Sequence, residues 1–335
     1  MSIIIETQNL TKKFGDFIAN NDINLQVEKQ EIKCIVGENG AGKSTLMNML
    51  YGVLKPTSGK ILLNGEELVM NSPTDAIRHG IGMVHQHFKL VPSLSVYENI
   101  LLGSEITRRG LIDRRQEIEK VKQLIEEYHF QIDPMEKIQN ISVGLCQQVE
   151  ILKMLYRNVD ILILDEPTAV LTPQEVDQLM ENLKALRDQG KTIIVITHKL
   201  REVMYLSDSV TVIKSGQVIG NVKTKDTNET ELAQMMVGRD VVLTVRNEAG
   251  PAPQEEEAYR VENICTVNDA NQEILHNVTL SVRKGEVLGI AGVEGNGQSE
   301  LIKVLTGVMT VTKGKITLNG KDVTNAWPDK LRKFG

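Results

Sequence analysis

The chain has 335 residues, 41% hydrophobic and 24% charged, the make-up of a soluble globular protein with core enough for one to three domains. Its net charge of −6 excludes a generally basic nucleic-acid binder. Cys34, Cys146 and Cys265 form no C-x-x-C pair, against a disulfide framework or zinc site, and no apolar window nears the roughly 20 residues that span a bilayer.

In chain order, short alternating strands come first, and Ile32 to Val36 is an apolar run that leads into Gly37-Glu38-Asn39-Gly40-Ala41-Gly42-Lys43-Ser44. Leu46, Met47 and Leu50 then mark one face of a helix. This is a strand, a complete G-x-x-x-x-G-K-S loop and a helix. Backbone N–H groups of such a loop point at phosphate oxygens, and the helix N-terminus adds partial positive charge. Lys43 can reach the β- and γ-phosphates, and Ser44 can bind Mg²⁺.

From Asp113 to Tyr128, Ile118, Val121, Leu124, Ile125 and Tyr128 recur at helical spacing, which predicts an inserted helical subdomain. Ile161 to Leu164 and Thr192 to Ile196 are continuous apolar runs, expected of parallel strands buried on both faces. Between them Thr172-Pro173-Gln174-Glu175 is a capping box with proline at the first helical position. Val176, Leu179, Met180, Leu183 and Leu186 supply that helix's buried stripe, and Gly190 its stop.

Asp165 and Glu166 leave the first of these strands at its carboxyl end, where ligands bind in such sheets. Asp165 is placed to hold Mg²⁺ or its water, and Glu166 to take a proton from an attacking water. His198 follows the second strand, and Gln86 lies in an earlier loop. Spacing alone leaves these two open between a phosphate or metal role and an incidental one.

A second loop, Gly292 to Ser299, repeats the frame of the first with Gln298 in place of lysine. Lys29, Glu31, Lys60-Ile61 and Asn64-Gly65 recur as Lys284, Glu286, Lys315-Ile316 and Asn319-Gly320. The repeat predicts a complete domain over 1–238, a linker over 239–258 rich in Pro, Gly and charge, and a degenerate, truncated second copy over 259–335.

Gly37 to Ser44, Gln86, Ser142-Val143-Gly144, Ile161 to Glu166 and His198 follow the order of Walker A, Q-loop, signature, Walker B and switch histidine, so the chain resembles the ABC ATPases. The resemblance implies an α/β P-loop NTPase of ABC ATPase type, with a mixed sheet core, an antiparallel β subdomain and a helical subdomain. It also implies catalytic roles for Glu166, His198, Lys43 and Gln86. Mg²⁺ would be held by Ser44, Gln86 and Asp165, and ATP by Gly37 to Thr45, with Phe14 stacking on adenine and Ser142 and Gly144 facing the other domain's nucleotide.

Tandem domains with a weakened second loop resemble importers of simple sugars, and Met83 to Val91 with Val149 to Lys153 looks closer to the nucleoside-importing branch. That implies permease subunits, an extracytoplasmic substrate-binding protein acting indirectly, a second ATPase domain or subunit, no nucleic acid, and a peripheral place on the cytoplasmic face of the plasma membrane. Cys146 and Gln148 stand where this branch usually has glutamine and arginine, and Thr172 where many relatives carry aspartate. The expectation is a chain that binds Mg·ATP and hydrolyses it slowly unless a second copy supplies a signature. Alternatives are a soluble ABC protein acting on ribosomes and a truncated, non-catalytic nucleotide-binding regulator.

Overall fold

A computed structural model describes residues 2–86, 88–108, 110–238, 256–267, 272–292 and 296–334. Most of the expected linker, His87, Val293 to Gly295 of the second loop and Gly335 lie outside the described residues. The chain divides into two compact units, Met1–Leu243 and Thr244–Gly335.

The first unit opens with strands β1 (Ile3–Phe14), β2 (Phe17–Ile23), β3 (Gln26–Glu28) and β4 (Ile32–Val36), then helix α1 (Lys43–Leu50). Next come β5 (Ser58–Leu63), β6 (Glu66–Glu67), α2 (Pro73–Arg78), β7 (Ile81–Val84), α3 (Val96–Leu101), β8 (Thr107–Arg108), β9 (Leu111–Ile112) and α4 (Arg114–Glu127). The unit ends with α5 (Val143–Tyr156), β10 (Ile161–Asp165), α6 (Pro173–Asp188), β11 (Thr192–Ile196), α7 (Leu200–Leu206), β12 (Ser209–Lys214), β13 (Gln217–Lys223) and α8 (Glu229–Val237).

Two sheets result. One is antiparallel, in the order β2-β1-β5-β6 with β3 on β1. The other runs β13-β12-β4-β11-β10-β7, parallel from β12 to β7 with β13 antiparallel at one edge. Alternate residues of this mixed sheet enter different cores. Ile32, Cys34, Val36, Leu162, Leu164, Ile193 and Val195 join a core with α3 to α8, whereas Ile35, Ile161, Ile163, Ile194 and Ile196 join a core with α1 and the antiparallel sheet. Covering both faces is what demands the unbroken apolar runs.

The charged segment forms α4 with Asp113 as its N-cap, and Val121, Leu124 and Ile125 are buried against α3 and α5. Thr172 caps α6 with Glu175 completing the box, and Leu179, Met180, Leu183 and Leu186 are buried. After Asp188 the chain reaches Gly190 at φ 98°, the left-handed stop the sequence predicts. Mixed sheet, antiparallel sheet and helical layer are those of the expected P-loop fold.

The second unit has strands β14 (Glu257–Val267) and β15 (Glu273–Arg283), helix α9 (Gln298–Leu305), strands β16 (Lys313–Leu318) and β17 (Lys321–Asp322), and helix α10 (Pro328–Leu331). Its antiparallel sheet runs β15-β14-β16-β17 over a core of Val261, Ile264, Leu301, Val304 and Ile316. Glu286 to Gly292, the repeat of Glu31 to Gly37, lies outside any strand, and Val287 is 95% exposed.

Candidate functional site

The glycine loop starts where β4 leaves the mixed sheet and ends at Gly42, the N-cap of α1. Gly42 sits at φ 99°, and a Cβ there would lie 2.5 Å from the Ala19 carbonyl oxygen and 2.7 Å from Asn20 Nδ2. Only glycine meets both demands without strain. The Asn20 amide, fully buried, donates to the Gly42 carbonyl at 3.1 Å and fixes the loop's last turn to β2.

Lys43 is buried, and its ammonium folds back to donate to the Gly37 and Glu38 carbonyls, both at 2.8 Å. Burial lowers its pKa below the ordinary lysine range, while Glu166 and Asp165 pull the other way. Glu38, Asn39, Gly40 and Ser44 are exposed, and Thr45 is half-buried on the first turn of α1.

Asp165 ends β10, beside Ile196 of β11 in parallel register. Burial raises its carboxyl above the usual range, a hydrogen bond from Ser44 lowers it, and neighbouring Glu166 raises it again. Ser44 and Asp165 thus form a pair of hard oxygen donors, a set that fits Mg²⁺ completed by water and phosphate oxygens.

Glu166 adopts φ 47°, a left-handed conformation unusual for a non-glycine residue, and its N–H donates to Ile196 C=O at 3.0 Å. Its carboxylate lies 3.2 Å from His198 Nδ1. Both loops are further tied by Thr168, whose hydroxyl donates to Glu202 at 2.7 Å and whose carbonyl accepts from Lys199 at 2.9 Å. Gln86 is exposed two residues beyond β7, the strand beside β10, on the same sheet edge.

The sheet therefore brings Lys43, Ser44, Asp165, Glu166 and His198 together. Phe14 is 47% exposed at the end of β1 with Lys12 over its ring, and β1 pairs with β2, the strand that carries Asn20. Ser142 and Gly144 form a separate cluster at the start of α5, hydrogen-bonded to Glu175. Sequence reasoning missed Asn20, the Thr168, Lys199 and Glu202 network, and Glu150, which accepts from Lys89 N–H at 2.6 Å and anchors the segment after Gln86 to α5. None carries a local signal, because each partner is distant in sequence.

A surface hollow lined by residues including Glu6, Glu31, Lys33, Asp208 and Lys223 holds none of the predicted site residues. A phosphate loop binds through converging backbone N–H groups and needs no deep cavity, so chemistry rather than volume locates the site. In the second unit Gln298 opens α9 after Gly297 at φ 87°, the geometry of Lys43 after Gly42, with its amide against Gly292.

The family model described as ABC transporter matches residues 20–169 and 275–334. The guanosine import ATP-binding protein NupO of Bacillus subtilis (strain 168) is 48% identical over all of this chain, which spans 65% of that relative. The glucose import ATP-binding protein TsgD13 of Haloferax volcanii is 45% identical over 97% of this chain and 64% of its own length. Among solved structures, the ADP conformation of MJ1267, an ATP-binding cassette of an ABC transporter, aligns with TM-score 0.63 and 25% identity over 71% of this chain and 100% of that one.

Proposed function

We propose that this chain, which belongs to the ABC transporter family, is the ATP-binding subunit that hydrolyses ATP to drive import of nucleosides or simple sugars through a membrane permease. The observation that carries the reading is the convergence of Lys43, Ser44, Asp165 and Glu166 at one sheet edge, with His198 on Glu166.

In this reading Lys43 leaves the Gly37 and Glu38 carbonyls for the β- and γ-phosphates, and the loop's N–H groups hold the remaining oxygens. Ser44 and Asp165, with Gln86 at the neighbouring strand end, hold Mg²⁺, which neutralises phosphate charge when bound. Glu166 accepts the proton of the attacking water, and His198 fixes its carboxylate. Phe14 stacks on the adenine, and Ser142 and Gly144 meet the nucleotide of another ATPase domain.

Residues 1–238 form the complete nucleotide-binding domain, 239–258 the linker and 259–335 part of a second, degenerate one. Nucleosides are preferred over sugars as cargo, on the similarity to a guanosine import protein at 48% identity. Among the described residues no helix is long and apolar enough to cross a membrane, which accords with peripheral attachment to permease subunits at the cytoplasmic face.

The test is Mg·ATP binding and hydrolysis by the purified chain. Lys43→Ala should abolish binding, and Glu166→Gln should keep binding while lowering turnover by about 10²-fold or more. Binding that survives Lys43→Ala sinks the reading. Uptake of labelled guanosine and ribose, with and without the chain, separates the two cargo classes.

A further inference from the structure

Helices α5 and α6 both point their N-termini at one carboxylate. Glu175 Oε2 accepts from the N–H and hydroxyl of Thr172, both at 3.0 Å, completing the cap of its own helix. Oε1 reaches 33 residues back along the chain, accepting from Ser142 Oγ at 2.8 Å and Gly144 N–H at 3.1 Å. Ser142 Oγ also accepts from Leu145 N–H, so its proton and a lone pair are both committed. A Cβ on Gly144 would lie 2.5 Å from Oε1, so the carboxylate sits directly on the turn.

These donors are the ones that a terminal phosphate would need. A cavity of about 180 Å³ adjoins them, lined by Ser142, Gly144, Gln148 and Glu175 among others, with no cationic side chain among the described residues that line it. Gln148 Oε1 is buried with no hydrogen-bond partner among the described residues. Among the described residues Glu175 is balanced by these hydrogen bonds and by two helix dipoles. Burial raises its pKa, and the bonds from Thr172, Ser142 and Gly144 outweigh this, leaving it below the usual glutamate range and ionised at neutral pH.

We propose that Glu175 is an internal anion occupying the signature turn, and that Ser142 and Gly144 receive a nucleotide's terminal phosphate only when Glu175 withdraws. Phosphate and carboxylate compete for the same donors, and their like charges repel at contact distance. The proposal rests on the reading above, in which this turn completes a nucleotide site held by another ATPase domain or a second copy of the chain.

The test is Mg·ATP-dependent self-association of the full chain by sedimentation velocity, with Glu166→Gln throughout to prevent turnover. Adding Glu175→Gln removes the charge and keeps the shape, and should lower the dimer dissociation constant about tenfold. Gln148→Arg places a cation in the adjoining cavity and should act in the same direction, which a merely structural role for Glu175 does not predict. Thermal melts check folding, and if Glu175→Gln melts early, Gln148→Arg is read in its place. A change below about threefold, a weaker dimer, or no dimer in any variant overturns the proposal. Binding of a fluorescent ATP analogue, with Lys43→Ala as control, is measured on the same samples. Intact binding with an unmoved dimer sinks Glu175's role alone, whereas absent binding sinks the ATPase reading itself.

Discussion

At the residue scale the site is made by backbone as much as by side chains. Glu166 is held at φ 47° by the bond of its N–H to Ile196, so its carboxylate faces His198 rather than following the strand's alternation. Gly42 is the other constrained position. Gly42→Ala should cost about 1–3 kcal/mol in backbone strain, with a further loss from the clash at Ala19 O, a carbonyl that cannot rotate away. Urea unfolding measures the cost, and Mg·ATP affinity should fall with it. A stability change under 0.5 kcal/mol would show that the turn tolerates a side chain.

At the element scale, carboxylates close several helix starts. Asp75 accepts from Asn71 and Ser72 beside α2, Glu98 completes the box of Ser95 on α3, and Glu175 does so for Thr172 on α6. Backbone bonds, from Asn71 and Ser95 respectively, hold Asp75 and Glu98 below the usual carboxylate range, and Glu175 is also low for the reasons given. A depressed folded pKa stabilises at all pH values above the unfolded value, about 3.9 for Asp and 4.3 for Glu, and the contribution fades as pH falls through the folded value. The unaltered chain should therefore lose more of its urea midpoint between pH 7 and pH 3.5 than Glu98→Gln/Glu175→Gln does. Equal losses would mean these caps do not contribute to acid lability.

At the scale of the whole molecule, one repeated sequence position meets two environments. Ile32 is fully buried in β4, between β11 and β12. Its repeat partner Val287 is 95% exposed, because the second unit's described residues hold no strands to flank it. Ile32→Ala should cost about 2–5 kcal/mol, whereas Val287→Ala should stay within about 0.5 kcal/mol in urea unfolding of the chain. A large cost at Val287 would mean that something covers it in solution.

The sequence by itself determined what local rules encode. The G-x-x-x-x-G-K-S frame, the unbroken apolar runs of β10 and β11, the helical stripe of α4 and the capping box at Thr172 each need only spacing and residue type, and each stands in the structure at the predicted place. Strand order and long-range polar bonds were beyond it. That β4 lies between β11 and β12, that Asn20 holds Gly42, and that the second oxygen of a capping glutamate closes on a turn 33 residues away depend on which elements pack together. A buried hydrogen bond takes whatever donor packing brings within 3 Å, and sequence separation plays no part in that choice.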